Sequence, residues 1–219
     1  MDWYRPEVSE LAQRLHQGPL PASPVAFYGS SSIRLWSTLA ADLADPRALN
    51  LGFGGATLAA CVHFFDQLIP LAQPHSLLVY AGDNDLGDGH PPEFLHDRFL
   101  ALADKISHFN PTLPWAFLSI KLSPSRLHLR DSISKTNALI QSEILPLPHA
   151  AFIDVASPML QPSGLPRPEL YAADGLHLSP AGYRQWAETL KQDRNLMLTP
   201  PSSKIRSEQL TSKLDVAGI

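Results

Sequence analysis

Short apolar runs at Val25–Tyr28, Ala48–Leu51, Leu77–Ala81, Trp115–Ile120 and Ala151–Val155 have the length and continuity of strands buried on both faces. Between and after them, Ile33–Leu43, Thr57–Leu68, Pro92–Phe109, Leu127–Ile144 and Ala181–Lys191 carry apolar residues at helical spacing. One more amphipathic helix precedes the first strand. Val8, Leu11 and Leu15, with Trp3 and Tyr4 upstream, repeat every three to four positions until Gly18 and the prolines at 19, 21 and 24 end the pattern. This strand–helix alternation predicts βα units, a sheet of about five parallel strands and helices on both of its faces, a three-layer α/β/α sandwich. Ligands of such sheets bind beyond the carboxyl ends of the strands, so residues that carry chemistry are expected just after a strand.

Composition narrows the function classes. With 44% hydrophobic and 17% charged residues the chain has enough apolar material for one core, and its 219 residues fit one domain. That domain is expected over 1–198, opening with the helix of 1–18. The stretch 199–219, which begins Pro200-Pro201-Ser202-Ser203 and is then polar with little periodicity, is expected to be a flexible tail. The 21 prolines, about twice the usual share of about 5%, imply stiff loops. A formal net charge of −4 gives no electrostatic reason to expect nucleic acid or anionic lipid, which leaves a small molecule as the expected partner.

Cys61 is the sole cysteine, so no internal disulfide is possible and a reducing compartment suits the chain. Charges are scattered through the first 18 residues without an apolar stretch of the signal-peptide kind, and no apolar run is long enough for a membrane span. A cytoplasmic location is the expectation. The nine histidines form no His-Glu-x-x-His or similar cluster, so no metal site is expected. Asp83–Gly89 has the look of a calcium loop, but Asp88 stands where glycine is required and Phe94 where the closing glutamate belongs.

Three segments pass the strand-end filter. After the first strand, Gly29-Ser30-Ser31-Ser32 leads into a helix. Read locally, its serines are helix caps, a cradle for a phosphate, or a nucleophile assisted by free backbone N–H groups. After the second comes Asn50-Leu51-Gly52-Phe53-Gly54-Gly55-Ala56-Thr57, where a glycine N–H at position 55 is suited to an oxyanion or simply to a turn. After the third comes Gly82-Asp83-Asn84-Asp85, where Asn84 offers an amide donor or an Asx turn. Near the far end, Asp174-Gly175-Leu176-His177 has the spacing for a carboxylate to accept the Nδ1 proton of a histidine and leave Nε2 free as a base; the alternative is a surface turn with Ser179 capping the last helix.

The order Ser, Gly, Asn and Asp-x-x-His, each in its own block between Val25 and Trp186, resembles the four blocks of the SGNH/GDSL hydrolase superfamily. The resemblance implies a flavodoxin-like fold and a serine esterase that needs no cofactor. It implies Ser31 as nucleophile, Asp174 and His177 as the rest of a triad, and Ser31, Gly55 and Asn84 as oxyanion donors. One position departs from the pattern: Ser30 stands where the family has aspartate, which makes Ser30 the fallback nucleophile. The implied substrate is a small-molecule ester, with short acyl groups such as O-acetyl preferred. An acyltransferase of the same family and a non-catalytic FMN- or phosphate-binding module are the alternatives.

The α/β-hydrolase pattern is excluded, because Ser31 is followed by Ser32-Ile33 and no Gly-x-Ser-x-Gly elbow occurs. For the remaining conspicuous residues the plain expectation is structural. His63 should be a packed or surface histidine, Trp36 a core residue, Asp85 a loop anchor and Cys61 a small hydrophobe. Arg34 and Trp36 are also candidates to border the substrate cleft, although a helix packed on the sheet would use Trp36 as core.

Overall fold

The computed structural model describes residues 1–192, so the segment expected to form a tail, 199–219, lies outside the described residues. Five strands, β1 (Val25–Gly29), β2 (Ala48–Gly52), β3 (Ser76–Tyr80), β4 (Trp115–Leu118) and β5 (Ala150–Ile153), pair in parallel in the order β2-β1-β3-β4-β5. This is the strand order of flavodoxin-like sheets, whose direction of winding reverses at β1 and β3. The crevice at that reversal is where the loops after β1 and β3 separate.

The helices are α1 (Arg5–Gln17), α2 (Ser31–Arg34), α3 (Leu39–Leu43), α4 (Leu58–Ala72), α5 (Asp83–Gly87), α6 (Pro92–Phe109), α7 (Arg130–Ile144) and α8 (Pro180–Gln192). Successive strand side chains point to opposite faces, and the core divides accordingly. Ala26 and Tyr28 of β1 join the cluster built with α1, α4, α6 and α7, whereas Val25 and Phe27 join the one built with α2, α3 and α8. Both faces are dry, which is why the strands read as continuous apolar runs. Each fully buried side chain such as Phe27 contributes roughly 1.5–3 kcal/mol of transfer free energy. Among the described residues no helix is long and apolar enough to cross a membrane.

The helix boundaries depart from the sequence expectation in three places. The helix predicted over Ile33–Leu43 is two short ones, α2 and α3. Asn50, in the middle of β2, donates its side-chain amide to the Ile33 carbonyl at 2.6 Å, and the Trp36 indole turns inward to donate to Asp42 at 2.8 Å. The helix predicted from Thr57 to Leu68 runs on to Ala72 through Pro70, held by the burial of Leu68, Ile69 and Ala72. The helix predicted from Leu127 starts at Arg130, after a 3₁₀ stretch over Pro124–Leu129.

At the end of β1, Gly29 takes φ +139° so that the Ser30 N–H reaches the Tyr80 carbonyl at 2.9 Å. A Cβ there would lie 1.9 Å from that carbonyl oxygen, so only glycine permits this turn. The turn lifts Ser31 clear of the sheet edge.

Candidate active site

Ser31 is the first residue of α2. Its Oγ lies 3.0 Å from His177 Nε2, and His177 Nδ1 lies 2.6 Å from Asp174 Oδ2. The other Asp174 oxygen accepts the backbone N–H groups of Leu176 and His177 at 2.9 and 3.0 Å, which pins the carboxylate beneath the ring. The hydrogen bond from His177, with further help from the Leu176 N–H, lowers the Asp174 carboxyl to about 2. An anion on Nδ1 fixes the proton there and leaves Nε2 as the acceptor for the Ser31 hydroxyl.

The loop that carries Asp174 and His177 is itself closed. Tyr171 and Leu178 form an antiparallel bridge, the Ala172 N–H reaches the His177 carbonyl at 2.8 Å, and the Tyr171 hydroxyl donates to the Leu122 carbonyl at 2.7 Å. Ser179 caps α8, accepting the Gly182 N–H at 3.2 Å.

The three serines after β1 differ in surroundings. Ser30 occupies the N-cap position of α2, but its side chain makes no capping bond, and its hydroxyl is buried without a partner among the described residues. Ser32 is buried, with its Oγ 3.3 Å from Lys121 Nζ. Ser31 is the one of the three in contact with His177. A phosphate cradle has no use for a base at that hydroxyl.

The Ser31 and Gly55 N–H groups have no hydrogen-bond partner among the described residues. Asn84 lies on α5 rather than in the isolated Asx turn considered from sequence. It donates one Nδ2 hydrogen to the Ala56 carbonyl at 3.1 Å, which ties the loop after β3 to the loop after β2. The tie is doubled by Asp85, whose carboxylate accepts the Leu58 N–H at 3.0 and 3.1 Å, the loop-anchoring role expected of it. Burial pushes the Asp85 carboxyl up to about 6.

Four residues that the sequence reading did not single out for the site surround it. Lys121, fully buried beyond β4, donates to Asp83 at 2.9 Å and to the Tyr80 hydroxyl at 3.1 Å. Burial alone would raise the Asp83 carboxyl, but the charges of Lys121 and Arg126 prevail and hold it below the usual range. Arg126 donates to the Asp83 carbonyl at 2.5 Å and to Asn84 Oδ1 at 3.2 Å. From α1 and the turn before it, Glu7 accepts the Gly54 N–H at 2.6 Å and pairs with Arg34, while the Tyr4 hydroxyl donates to the Gly55 carbonyl at 3.1 Å. A charge at the end of an apolar strand run marked Lys121 in the sequence; nothing local marked the others.

The residues read as structural are so placed. Trp36 stacks on Tyr183 in the core with ring centroids 5.2 Å apart, Cys61 is buried, and His63 is exposed against the edge of Phe64. Arg34 and Trp36 line a cleft of about 390 Å³ with Glu7 and Asn50, and none of Ser31, Asp174, His177, Gly55 and Asn84 is among its lining residues. Among the described residues no group of three His, Cys, Asp or Glu side chains is placed to hold a metal ion.

Comparison with known proteins gives a consistent picture. The model of the GDSL-like Lipase/Acylhydrolase family matches residues 21–185. None of the curated proteins compared with the chain matches it. Among solved structures, the chain is similar to a GDSL-like lipase of Bacteroides thetaiotaomicron, with 18% identity and a TM-score of 0.70 over 85% of this chain and 96% of that one. It is also similar to two proteins described provisionally. One is a platelet activating factor of Streptococcus pneumonia, with 20% identity and a TM-score of 0.75 over 88% of this chain and 94% of the other. The second is an acylhydrolase of Bacteroides fragilis, with 18% identity and a TM-score of 0.73 over 84% and 94%. At these identities the structural likeness speaks for the fold.

Proposed function

The chain belongs to the GDSL-like lipase/acylhydrolase family and is an ester-bond hydrolase, and from that premise we propose that it is a serine esterase acting on a small-molecule ester through Ser31, His177 and Asp174. The observation that carries this reading is the unbroken relay from Ser31 Oγ to His177 Nε2 at 3.0 Å and from His177 Nδ1 to Asp174 at 2.6 Å. Ser31 Oγ attacks the acyl carbonyl as His177 takes its proton, and the imidazolium is stabilised by Asp174. His177 then returns the proton to the departing alkoxide, leaving an acyl-Ser31 ester that water, activated by the same imidazole, hydrolyses.

The oxyanion formed in both steps is held by the N–H groups of Ser31 and Gly55 and by the second Nδ2 hydrogen of Asn84. Each such donor is worth on the order of 3 kcal/mol, about 100-fold in rate. Short acyl groups, O-acetyl among them, on a small alcohol are the proposed substrate class. The test is release of p-nitrophenol from acetate, butyrate and octanoate esters by the wild type and Ser31→Ala, with circular dichroism to establish that both are folded. Cleavage fastest on acetate and abolished in Ser31→Ala is expected; equal rates for the two proteins would remove Ser31 as nucleophile.

A further inference from the structure

We infer that Arg126 is a positioning residue for the oxyanion site: its guanidinium locks the side-chain amide of Asn84 in the one orientation that presents an N–H to the substrate. The inference rests on the reading of Asn84 as an oxyanion donor. An asparagine amide has two faces of similar shape and opposite polarity, so its partners decide which way it points. Asn84 has two one-way partners. The Ala56 carbonyl, 3.1 Å from Nδ2, only accepts, and the Arg126 guanidinium, 3.2 Å from Oδ1, only donates. Turning the amide over would set donor against donor and acceptor against acceptor at both contacts. The bond from Arg126 is charge-assisted and so the stronger of the two. By drawing density from Oδ1 it also makes the remaining Nδ2 hydrogen a better donor.

Arg126 is in turn held firmly. Its Nη1 donates to the Asp83 carbonyl and lies 3.4 Å from the Asp83 carboxylate, and the side chain is only 17% exposed. The guanidinium lies against Gly87, where a Cβ would come within 2.7 Å of Nη2. Its neighbour Ser125 donates its N–H to the Gly175 carbonyl at 3.0 Å, inside the loop between Asp174 and His177. One turn of chain thus braces the oxyanion asparagine and the triad loop together.

The test compares Arg126→Lys, Arg126→Gln, Arg126→Ala and Asn84→Ala on p-nitrophenyl acetate, with melting temperatures for each. Lysine keeps a donor-only partner, whereas glutamine offers an oxygen that lets the Asn84 amide turn over. The expected result is a kcat lowered about 10- to 100-fold in Arg126→Gln and Arg126→Ala with KM nearly unchanged, and a smaller loss in Arg126→Lys. Added guanidinium ion should restore part of the rate to Arg126→Ala, and Arg126→Ala should cost nothing further in an Asn84→Ala background. Full kcat in Arg126→Gln beside a crippled Asn84→Ala would overturn the inference and leave the oxyanion reading standing, as would equal losses in the Lys and Gln variants that simply track melting temperature. Full kcat in Asn84→Ala would overturn the oxyanion reading itself and the inference with it.

Discussion

Glu7 takes the Gly54 N–H on one carboxylate oxygen, at 2.6 Å, and Arg34 on the other, so a single side chain of α1 joins the loop that carries Gly55 to the helix that carries Ser31. The Tyr4 hydroxyl holds the Gly55 carbonyl at 3.1 Å. The peptide units on either side of the Gly54–Gly55 bond are therefore anchored, and the N–H between them is the one left free. Both anchors precede residue 21, where the family match begins.

Glu7→Ala is accordingly expected to lower kcat roughly 10-fold, a fraction of what loss of a whole donor costs. Tyr4→Phe should cost less, since one hydrogen bond between partly exposed groups contributes only about 1 kcal/mol. Glu7→Gln keeps an acceptor for Gly54 while losing the ion pair, so most of the rate should remain. Steady-state kinetics of the three variants checks this; an unaltered kcat in Glu7→Ala would mean that the glycine loop holds its own shape.

Asp174 should keep its charge across the working pH range. With its carboxyl at about 2, Asp174 is ionised throughout the range in which an esterase is assayed, so it contributes nothing to the pH dependence of kcat/KM above about pH 4. Because the folded-state value lies below the ordinary 3.8, the stabilising contribution of Asp174 is complete above that pH and is lost as pH falls towards 2. Asp174→Asn should fold at neutral pH yet lose on the order of 10³- to 10⁴-fold in kcat, through loss of the tautomer that Asp174 enforces. A midpoint above pH 4 for the Asp174 carboxyl in an NMR titration of the wild type would count against this assignment.

Asp85 works in the opposite direction. Burial raises its carboxyl from 3.8 to about 6, so the folded state binds the proton more tightly than the unfolded chain and stability falls as pH rises between those values. The difference corresponds to roughly 3 kcal/mol. Asp85→Asn retains an oxygen for the Leu58 N–H without the buried charge. It should melt several degrees above the wild type at pH 8 and close to it at pH 4, as thermal denaturation at the two values would reveal; equal melting temperatures at pH 8 would show that the carboxylate is better solvated than its burial implies.

What the sequence disclosed follows from how local each feature is. The strands were legible because Val25 to Tyr28 are apolar on both sides, a requirement of two dry faces that no loop shares. Asp174 and His177 were legible because a three-residue spacing is enough to bring carboxylate and imidazole together. The break between α2 and α3 was not, because it is imposed by Asn50 from another strand. Arg126 and Glu7 were hidden for the same reason: their partners lie 27 or more residues away in sequence, and an isolated charged side chain in a loop or on an exposed helix face looks like any solvated one.

The buried pair of Lys121 and Asp83 should prove unequal when its members are removed singly. Lys121 is only 1% exposed, and Asp83 is its sole anionic partner among the described residues; the Tyr80 hydroxyl and Ser32 Oγ at 3.1 and 3.3 Å are neutral. Asp83, by contrast, would keep Arg126 at 3.4 Å if the lysine were lost. Breaking a buried pair costs about 3–5 kcal/mol, largely because an uncompensated charge remains. Asp83→Asn strands such a charge and should lie at the upper end of that range. Lys121→Met strands one that still has a guanidinium beside it and retains the apolar stem, so it should cost about half as much. Replacing both together should be less damaging than Asp83→Asn alone, since no unpaired lysine is then left inside. Urea denaturation of the two single variants and the double variant at pH 7 measures all three. If Lys121→Met proved the more damaging single change, the ammonium would have to be holding Ser32 and Tyr80 in place beneath Ser31 rather than chiefly neutralising Asp83.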